Sequence, residues 1–235
     1  NVHNCVGMDG TLSPLRIAKV IEQQNPDIVA LQELDIGRQR TDQIDQAKAV
    51  AEILKMGHFF SPAIAMEEEK YGDAILSRFP MKMHKADLLP GYNTRLGLEP
   101  RGALWVKVQI GEQTFNILNT HLGLTAKEKK QQIEELLSEK WTKNPACQKP
   151  VILCGDFNFT TRSKLYKQCE SSFQTAAPSS KPAGTYCGCY PFIRLDHIFF
   201  SGQLQLQSCH TADTDLARIA SDHRPLIAVF KYQTD

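Results

Sequence analysis

Two periodicities share the chain, and the two-residue one dominates. Leu104, Val106, Val108 and Ile110 alternate with Trp105, Lys107 and Gln109, which predicts a half-buried strand over Ala103–Ile110. Gly111-Glu112 turns it into a second strand, Thr114–Thr120, so the pair reads as a hairpin. Short apolar runs predict buried strands at Ile28–Gln32, Val151–Cys154, Leu195–Phe200 and Leu226–Tyr232. Weaker patterns mark strands at His58–Met66 and Tyr71–Arg78, separated by a charged turn, Glu67-Glu68-Glu69-Lys70. Val2 is expected to continue a strand that starts ahead of residue 1.

Helical spacing appears in four places. Ser13-Pro14 supplies an N-cap and a first-turn proline, Leu15, Ile17, Ala18 and Ile21 give an apolar face, and Asn25-Pro26-Asp27 stops the helix. Gln43–Leu54 is the second helix and Arg162–Gln168 a short one. Thr125–Lys143 reads as a long solvated helix, because its lysines are partly balanced by Glu128, Glu134 and Glu135 around a narrow stripe of Ile133, Leu136 and Leu137. Residues 5–12, 175–186 and 220–225 read as loops. Without repeats or low-complexity linkers, 1–235 is expected to form a single domain. Strands outnumber helices and hairpins mix with helical connections. That pattern predicts an α/β fold with a two-sheet core and helices outside.

Composition narrows the class. At 235 residues and 42% hydrophobic content, a sizeable single core is affordable, and no apolar run is long enough for a membrane-spanning helix. A net charge of +1 with interspersed signs argues against a long footprint on duplex nucleic acid. Seven cysteines lack zinc-ligand spacing, Cys187-Gly-Cys189 being too tight, so reduced thiols and a cytoplasmic location are expected. The first residue is not Met, so upstream trimming, a removed signal peptide included, is also an expectation. A monomer without an obligate protein partner is expected.

The candidate chemistry lies at strand ends. Val151–Cys154 runs into Gly155-Asp156-Phe157-Asn158, which is either a turn bonding its own backbone or a placed pair of functional groups. Glu33 follows Ile28–Gln32 as a rim charge or a ligand. His121 ends one hairpin strand, Asp196 begins another strand, and Asp222-His223 precede the last. Each is weak alone; their repetition at strand ends is what points to a site on loops held by a rigid sheet.

In this order the pieces resemble the endonuclease/exonuclease/phosphatase superfamily. They are Asn1-Val2-His3, Leu31-Gln32-Glu33, Ala74–Arg78, Asn119–Leu122, Gly155–Asn158, Leu195–Ile198 and Ser221–Pro225, and they span essentially the whole chain. The resemblance implies a four-layered α/β sandwich of two packed mixed β-sheets flanked by helices, and Mg²⁺- or Mn²⁺-dependent hydrolysis of a phosphate ester. It implies Glu33, Asn1 and Asp222 at the metal, Asp156 on the attacking water with Asn158 fixing geometry, and His223 on the phosphoryl oxygen with Asp196 orienting it. His121 matches a histidine of the phosphodiesterase branches that stabilises phosphate or protonates the leaving group. Asp73 stands where many members have Asn, so an extra charge is expected to tune metal or substrate there. Independently, acids for a cation, an Asp for water and imidazoles for oxygens are a sufficient kit for phosphoryl transfer. Arg101 is either a phosphate clamp or an exposed loop residue.

The expected substrate is a phosphate diester, from nucleic acid, a phospholipid headgroup or a small molecule. A phosphomonoesterase and an inactive scaffold relative are the alternatives. Tyr186–Phe192 is expected either to wall the cleft or to be a packed loop.

Overall fold

The computed structural model describes residues 1–91, 98–179, 184–187 and 192–232. Its large sheet has six strands in the order β4-β5-β6-β7-β9-β8: Met81–Leu88, Gly102–Ile110, Gln113–His121, Val151–Asp156, Asp196–Ser201 and Gln174–Ala176. Only the β6–β7 pair in it is parallel. Facing it are a three-stranded antiparallel sheet, β1-β3-β2 (Ile28–Ile36, Glu69–Ser77, Gly57–Met66), and a ribbon of β10 (Leu204–Thr211) and β11 (Leu226–Tyr232).

Alternation along the strands sorts side chains into layers. Leu104, Val106 and Val108 of β5 join Ile75, Phe115, Ile117 and Phe200 between the sheets. Trp105 points the other way, against Ile133, Leu136 and Tyr166 of α3 (Ala126–Leu136) and α4 (Lys164–Glu170). On the opposite side, α1 (Pro14–Gln24), α2 (Gln46–Leu54) and α5 (Asp215–Ala220) bury Ile17, Val20, Val50 and Ala217 against Leu31 and Leu34. The result is the four-layered sandwich, helices outside two packed sheets.

Local chemistry explains the helix boundaries. Ser13 accepts from Arg16 N–H, Pro14 fixes the first turn, and Asn25 ends α1 in the left-handed region. Thr125 and Glu128 form a reciprocal capping box on α3. That helix stops at Leu136, short of the expected Lys143, because Ser138 bonds the Glu135 carbonyl and Trp141 folds back into the core. Helix α2 starts at Gln46, where Asp45 caps it, and not at Gln43. The expected turn over Glu67–Lys70 tightens to two residues. Val2 lies outside the named strands, although its N–H donates to Gln32 O at 3.0 Å. Strands β4, β8 and β10 and helix α5 were not predicted, β8 entering the loop expected from residue 175; in β4 lysines separate the apolar Met81, Met83 and Ala86 and blur the pattern.

Gly155 is required by position. Its φ is +137°, and a Cβ there would overlap the Thr120 carbonyl across the β6–β7 pair. Gly155→Ala is therefore expected to cost about 3–5 kcal/mol, read by urea unfolding.

His197 gives the fold an acid limit. Its Nε2 lies 2.7 Å from Phe159 O among the rings of Phe157, Phe159, Tyr166 and Phe199, and burial pushes its pKa down to about 4. Between pH 6.5 and 4 the unfolded imidazole binds a proton that the folded one does not, so stability falls as pH falls, by about 3 kcal/mol in all. His197→Gln, which keeps a donor for Phe159 O, is expected to flatten that part of the stability–pH curve.

Candidate active site

Parallel pairing of β6 with β7 brings both carboxyl ends to one edge, and antiparallel β9 begins there. The ladder thus sets His121 opposite Asp156, and Asp156 opposite Asp196. From the facing sheet, a bulge in β1 between Leu31 and Leu34 holds Glu33 at φ 62° and turns its side chain into the same cleft. Asn158, at φ 50°, sits just past the end of β7. Non-glycine residues in this region are strained, and such strain persists where the surroundings over-determine it.

The groups converge on Asp156. Its Oδ2 accepts from Asn1 Nδ2 at 3.1 Å and lies 3.5 Å from His121 Nε2 and 3.6 Å from His223 Nε2. Its Oδ1 accepts from Asn158 N–H at 2.9 Å, the self-bonding turn that Gly-Asp-x-Asn also predicted, so turn and placed pair coincide. Asn1 Nδ2 also donates to Glu33 Oε1 at 2.8 Å. His223 Nδ1 is 2.7 Å from Asp196 Oδ2, and Asp196 N–H in turn donates to Thr185 Oγ1. Asp222 lines the same cleft, a cavity of about 620 Å³.

The two histidines sit in opposite environments. Burial, then the Arg101 charge, holds His121 well below the ordinary imidazole value. Arg101 Nη1 lies 3.2 Å from its Nδ1, and a guanidinium can only donate, so the His121 proton belongs on Nε2, facing Asp156. The Asn158 amide nitrogen, 3.1 Å from the same Nε2, is then a packing contact whose hydrogen goes to Leu122 O. Burial also works against a charged His223, but the Asp196 carboxylate overcomes it and raises that imidazole. Reciprocally, burial would raise Asp196 but His223 holds it well below the carboxylate range, while burial and the Asp196 charge raise Asp156.

Arg101 is buried, not an exposed loop residue, and its Nη1 also meets Glu99 Oε2 at 3.2 Å. Asp73 is buried in β3 and does not line the cleft; burial pushes its carboxyl up to about 7, against the pull of Arg101. Cys5, Cys147, Cys154, Cys169 and Cys209 are free thiols. Tyr186 lines the cleft beside the His223 ring, while residues 188–191 of the expected cleft wall lie outside the described residues.

The sequence profile of the Endonuclease/Exonuclease/phosphatase family matches residues 1–223. The chain belongs to this family. Its members are phosphoric ester hydrolases. Among solved structures, an endonuclease/exonuclease/phosphatase from Beutenbergia cavernae has a TM-score of 0.77 at 22% identity, over 99% of this chain and 70% of that one. A Bacteroides thetaiotaomicron mannosyl-6-phosphatase follows at 0.71 and 18%, over 93% and 90%. The human Nocturnin catalytic domain with bound sulfate gives 0.68 and 22%, over 94% and 86%. At these identities the likeness shows the fold. No curated protein sequence matches. Among the described residues no helix is long and apolar enough to cross a membrane.

Several supporting residues had no role in the sequence reading. Asn119 Nδ2 donates to both Leu31 O and Ala74 O, and its Oδ1 accepts from Gln32 Nε2 at 2.7 Å. Lys129 Nζ donates to Asn158 O at 2.7 Å. Asn119 opens the matching piece Asn119–Leu122 without a role of its own there, and a polar residue interrupting an apolar strand was the other signal. Asn119→Ala would remove all three of these buried hydrogen bonds and is expected to cost about 3–5 kcal/mol in urea unfolding.

Proposed function

We propose that this family member hydrolyses a phosphate diester, with a divalent cation, Mg²⁺ or Mn²⁺, held by Glu33 together with Asn1 and Asp222. The donor set fits such an ion. Glu33 and Asp156 carboxylates share one amide hydrogen-bond donor in Asn1, and the cleft offers oxygen ligands without a thiolate, as hard cations require. When bound, the cation supplies charge neutralisation to the phosphoryl oxygens.

This chain's own residues then divide the remaining work. Asp156 takes the proton of the attacking water, its carboxylate oriented by the Asn158 N–H. Asn158 is itself anchored through Lys129. His223, held by Asp196, donates from Nε2 to a phosphoryl oxygen as charge develops. His121 stays neutral and donates from Nε2 to a second oxygen, and Arg101 fixes its tautomer. Asp73 acts from beneath, its carboxyl tuning the charge around Glu33 and Arg101.

The observation that carries the diester reading is the pair of imidazoles, one held neutral and one held towards the charged form, within 3.6 Å of a single carboxylate oxygen. A diester has two bridging oxygens and less charge than a monoester, so hydrogen-bond donors serve it where extra cations would serve a monoester. The cleft's mixture of charged groups with Leu98, Leu124 and Tyr186 suits a nucleotide, a phospholipid headgroup or a similar small ester.

The test is turnover of bis-p-nitrophenyl phosphate beside p-nitrophenyl phosphate, with EDTA, Mg²⁺ or Mn²⁺. Diester turnover is expected, lost in EDTA and reduced about 10²–10⁴-fold in Asp156→Asn. Preference for the monoester, or an unimpaired Asp156→Asn, would overturn the reading.

A second outcome follows from the His223–Asp196 pair. Without the carboxylate, the His223 pKa drops, so the imidazolium is lost at lower pH. Asp196→Asn is expected to move the alkaline limb of the kcat profile towards acid, besides lowering kcat.

A further inference from the structure

Arg40 brings a guanidinium to the cleft away from the groups that meet Asp156. It lies in a short 3₁₀ turn, Gln39–Thr41, between β1 and α2, and lines the cleft with Asn4, Tyr71 and Glu99. Its Nε donates to Asp35 Oδ2 at 2.7 Å and its Nη2 to Asp35 Oδ1 at 2.9 Å, a bidentate pair with a fully buried carboxylate. The same Nη2 donates to Asn4 Oδ1 at 3.0 Å, and the guanidinium carbon stands 5.7 Å from the centre of the Tyr71 ring. That uses the Nε hydrogen and both on Nη2. The two on Nη1 have no hydrogen-bond partner among the described residues, and the side chain is 47% exposed.

The partners of Arg40 are themselves held. Asp35 also accepts from Thr41 Oγ1. Gln46, fully buried, accepts from Asp35 N–H at 2.8 Å and donates to Asn4 O at 2.6 Å. Asn4 belongs to His3–Cys5, three consecutive residues at φ 46°, 53° and 56°, and His3 N–H donates to Asn1 Oδ1 at 3.0 Å. A run of hydrogen bonds therefore links Arg40 to the amide that bridges Glu33 and Asp156. Tyr71 gives a second link, because its ring lies against Arg40 while its hydroxyl meets Arg101, beside His121.

A structural ion pair accounts for the Asp35 contact, since a buried carboxylate needs a compensating charge. It does not account for the rest. Asp35 has a second guanidinium in reach, Arg38 Nη1 at 3.6 Å, and the donors left over on Arg40 belong to a residue of the cleft lining. Surplus charge is not the attraction, because Glu99 lies 3.2 Å from Arg101 and Glu69 3.7 Å from Arg38. What Arg40 offers is a pair of cationic N–H donors whose freedom is already restricted by folding, so a ligand that meets them loses little further entropy.

We propose that Arg40 Nη1 holds a second phosphate of the substrate, separate from the diester attacked at Asp156. The inference deepens the diester reading and rests on it: the substrate class is a phosphate diester with a further phosphate on the same molecule. Neutral and cationic headgroups leave these donors without a partner. A nucleotide chain and a phosphorylated headgroup both supply the second phosphate.

Two matched pairs of ligands test this by calorimetry in Mg²⁺: thymidine 5′-phosphate against thymidine 3′,5′-bisphosphate, and inositol 1-phosphate against inositol 1,4-bisphosphate. The wild-type protein is expected to bind the bisphosphate of at least one pair about tenfold more tightly than its partner, and the pair that shows the gain identifies the source. Arg40→Ala is expected to cut that advantage to within about twofold of unity. Because this change bares Asp35, the double variant Arg40→Ala/Asp35→Asn is measured beside it, with urea unfolding as the check on folding, and the same loss is expected. No advantage in either pair would overturn the proposal. So would an advantage that survives both variants, with the two members of a pair weakened equally, which marks a structural role. Calorimetry needs no turnover, so the two readings fail separately. Absence of bis-p-nitrophenyl phosphate hydrolysis with the binding advantage intact sinks the diester assignment alone, and hydrolysis without the advantage sinks the second-phosphate site.

Discussion

The geometry of the cleft depends on one buried amide. Asn119 stands on β6 of the large sheet, yet its side chain bonds backbone carbonyls of β1 and β3 in the other sheet and accepts from Gln32. Apolar layers slide over one another at modest cost, since hydrophobic contact is not directional. Three directional hydrogen bonds across the sandwich remove that freedom. They fix how far Leu31 stands from His121, and so where Glu33 meets Asp156. Two carboxylates brought close by layers free to slip would drift apart by repulsion; here the lock lies a few residues from each.

The site's electrostatics follow from burial sorted by partner. His121, His223, Asp156 and Asp196 are all withdrawn from water, which disfavours every charge among them. What separates them is the nearest neighbour. A carboxylate beside His223 favours its cation, and a guanidinium beside His121 forbids one. Environment, not residue type, thus gives the same side chain two tasks. Rigid backbone supports this division, because Gly155, Glu33 and Asn158 hold conformations that few substitutions allow.

Much of this was legible from residue order. The positions Glu33, His121, Asp156, Asp196 and His223 are read directly from polar groups that flank apolar runs, and the structure places Glu33, His121, Asp156 and His223 on the cleft lining with Asp196 against His223. The pairing of His223 with Asp196 and the four layers also agree with the sequence reading. Less legible were features set by tertiary context. Nothing in Glu99-Pro100-Arg101 distinguishes a buried guanidinium from an exposed one; the difference is made by His121 and Tyr71, far away in the chain. Helix α3 ends early because Trp141 finds the core, an event that charge patterning cannot encode. Edge strands such as β4 hide because half their surface is solvated and lysine-rich.

The parallel β6–β7 pair also bears on how the molecule assembles. His121 and Asp156 are neighbours across a ladder that must wait for α3 and its following turns to form a crossover. Asn1, Glu33 and His223 join from the two ends of the chain, so the cleft is built almost wholly from contacts distant in sequence. Such contacts reward the chain only after loop-closure entropy has been met, and they form late and together. Hairpins such as β2–β3 and β5–β6 have no such delay. Catalytic competence during refolding would therefore mark completion of the whole topology, well after most strand structure has become visible.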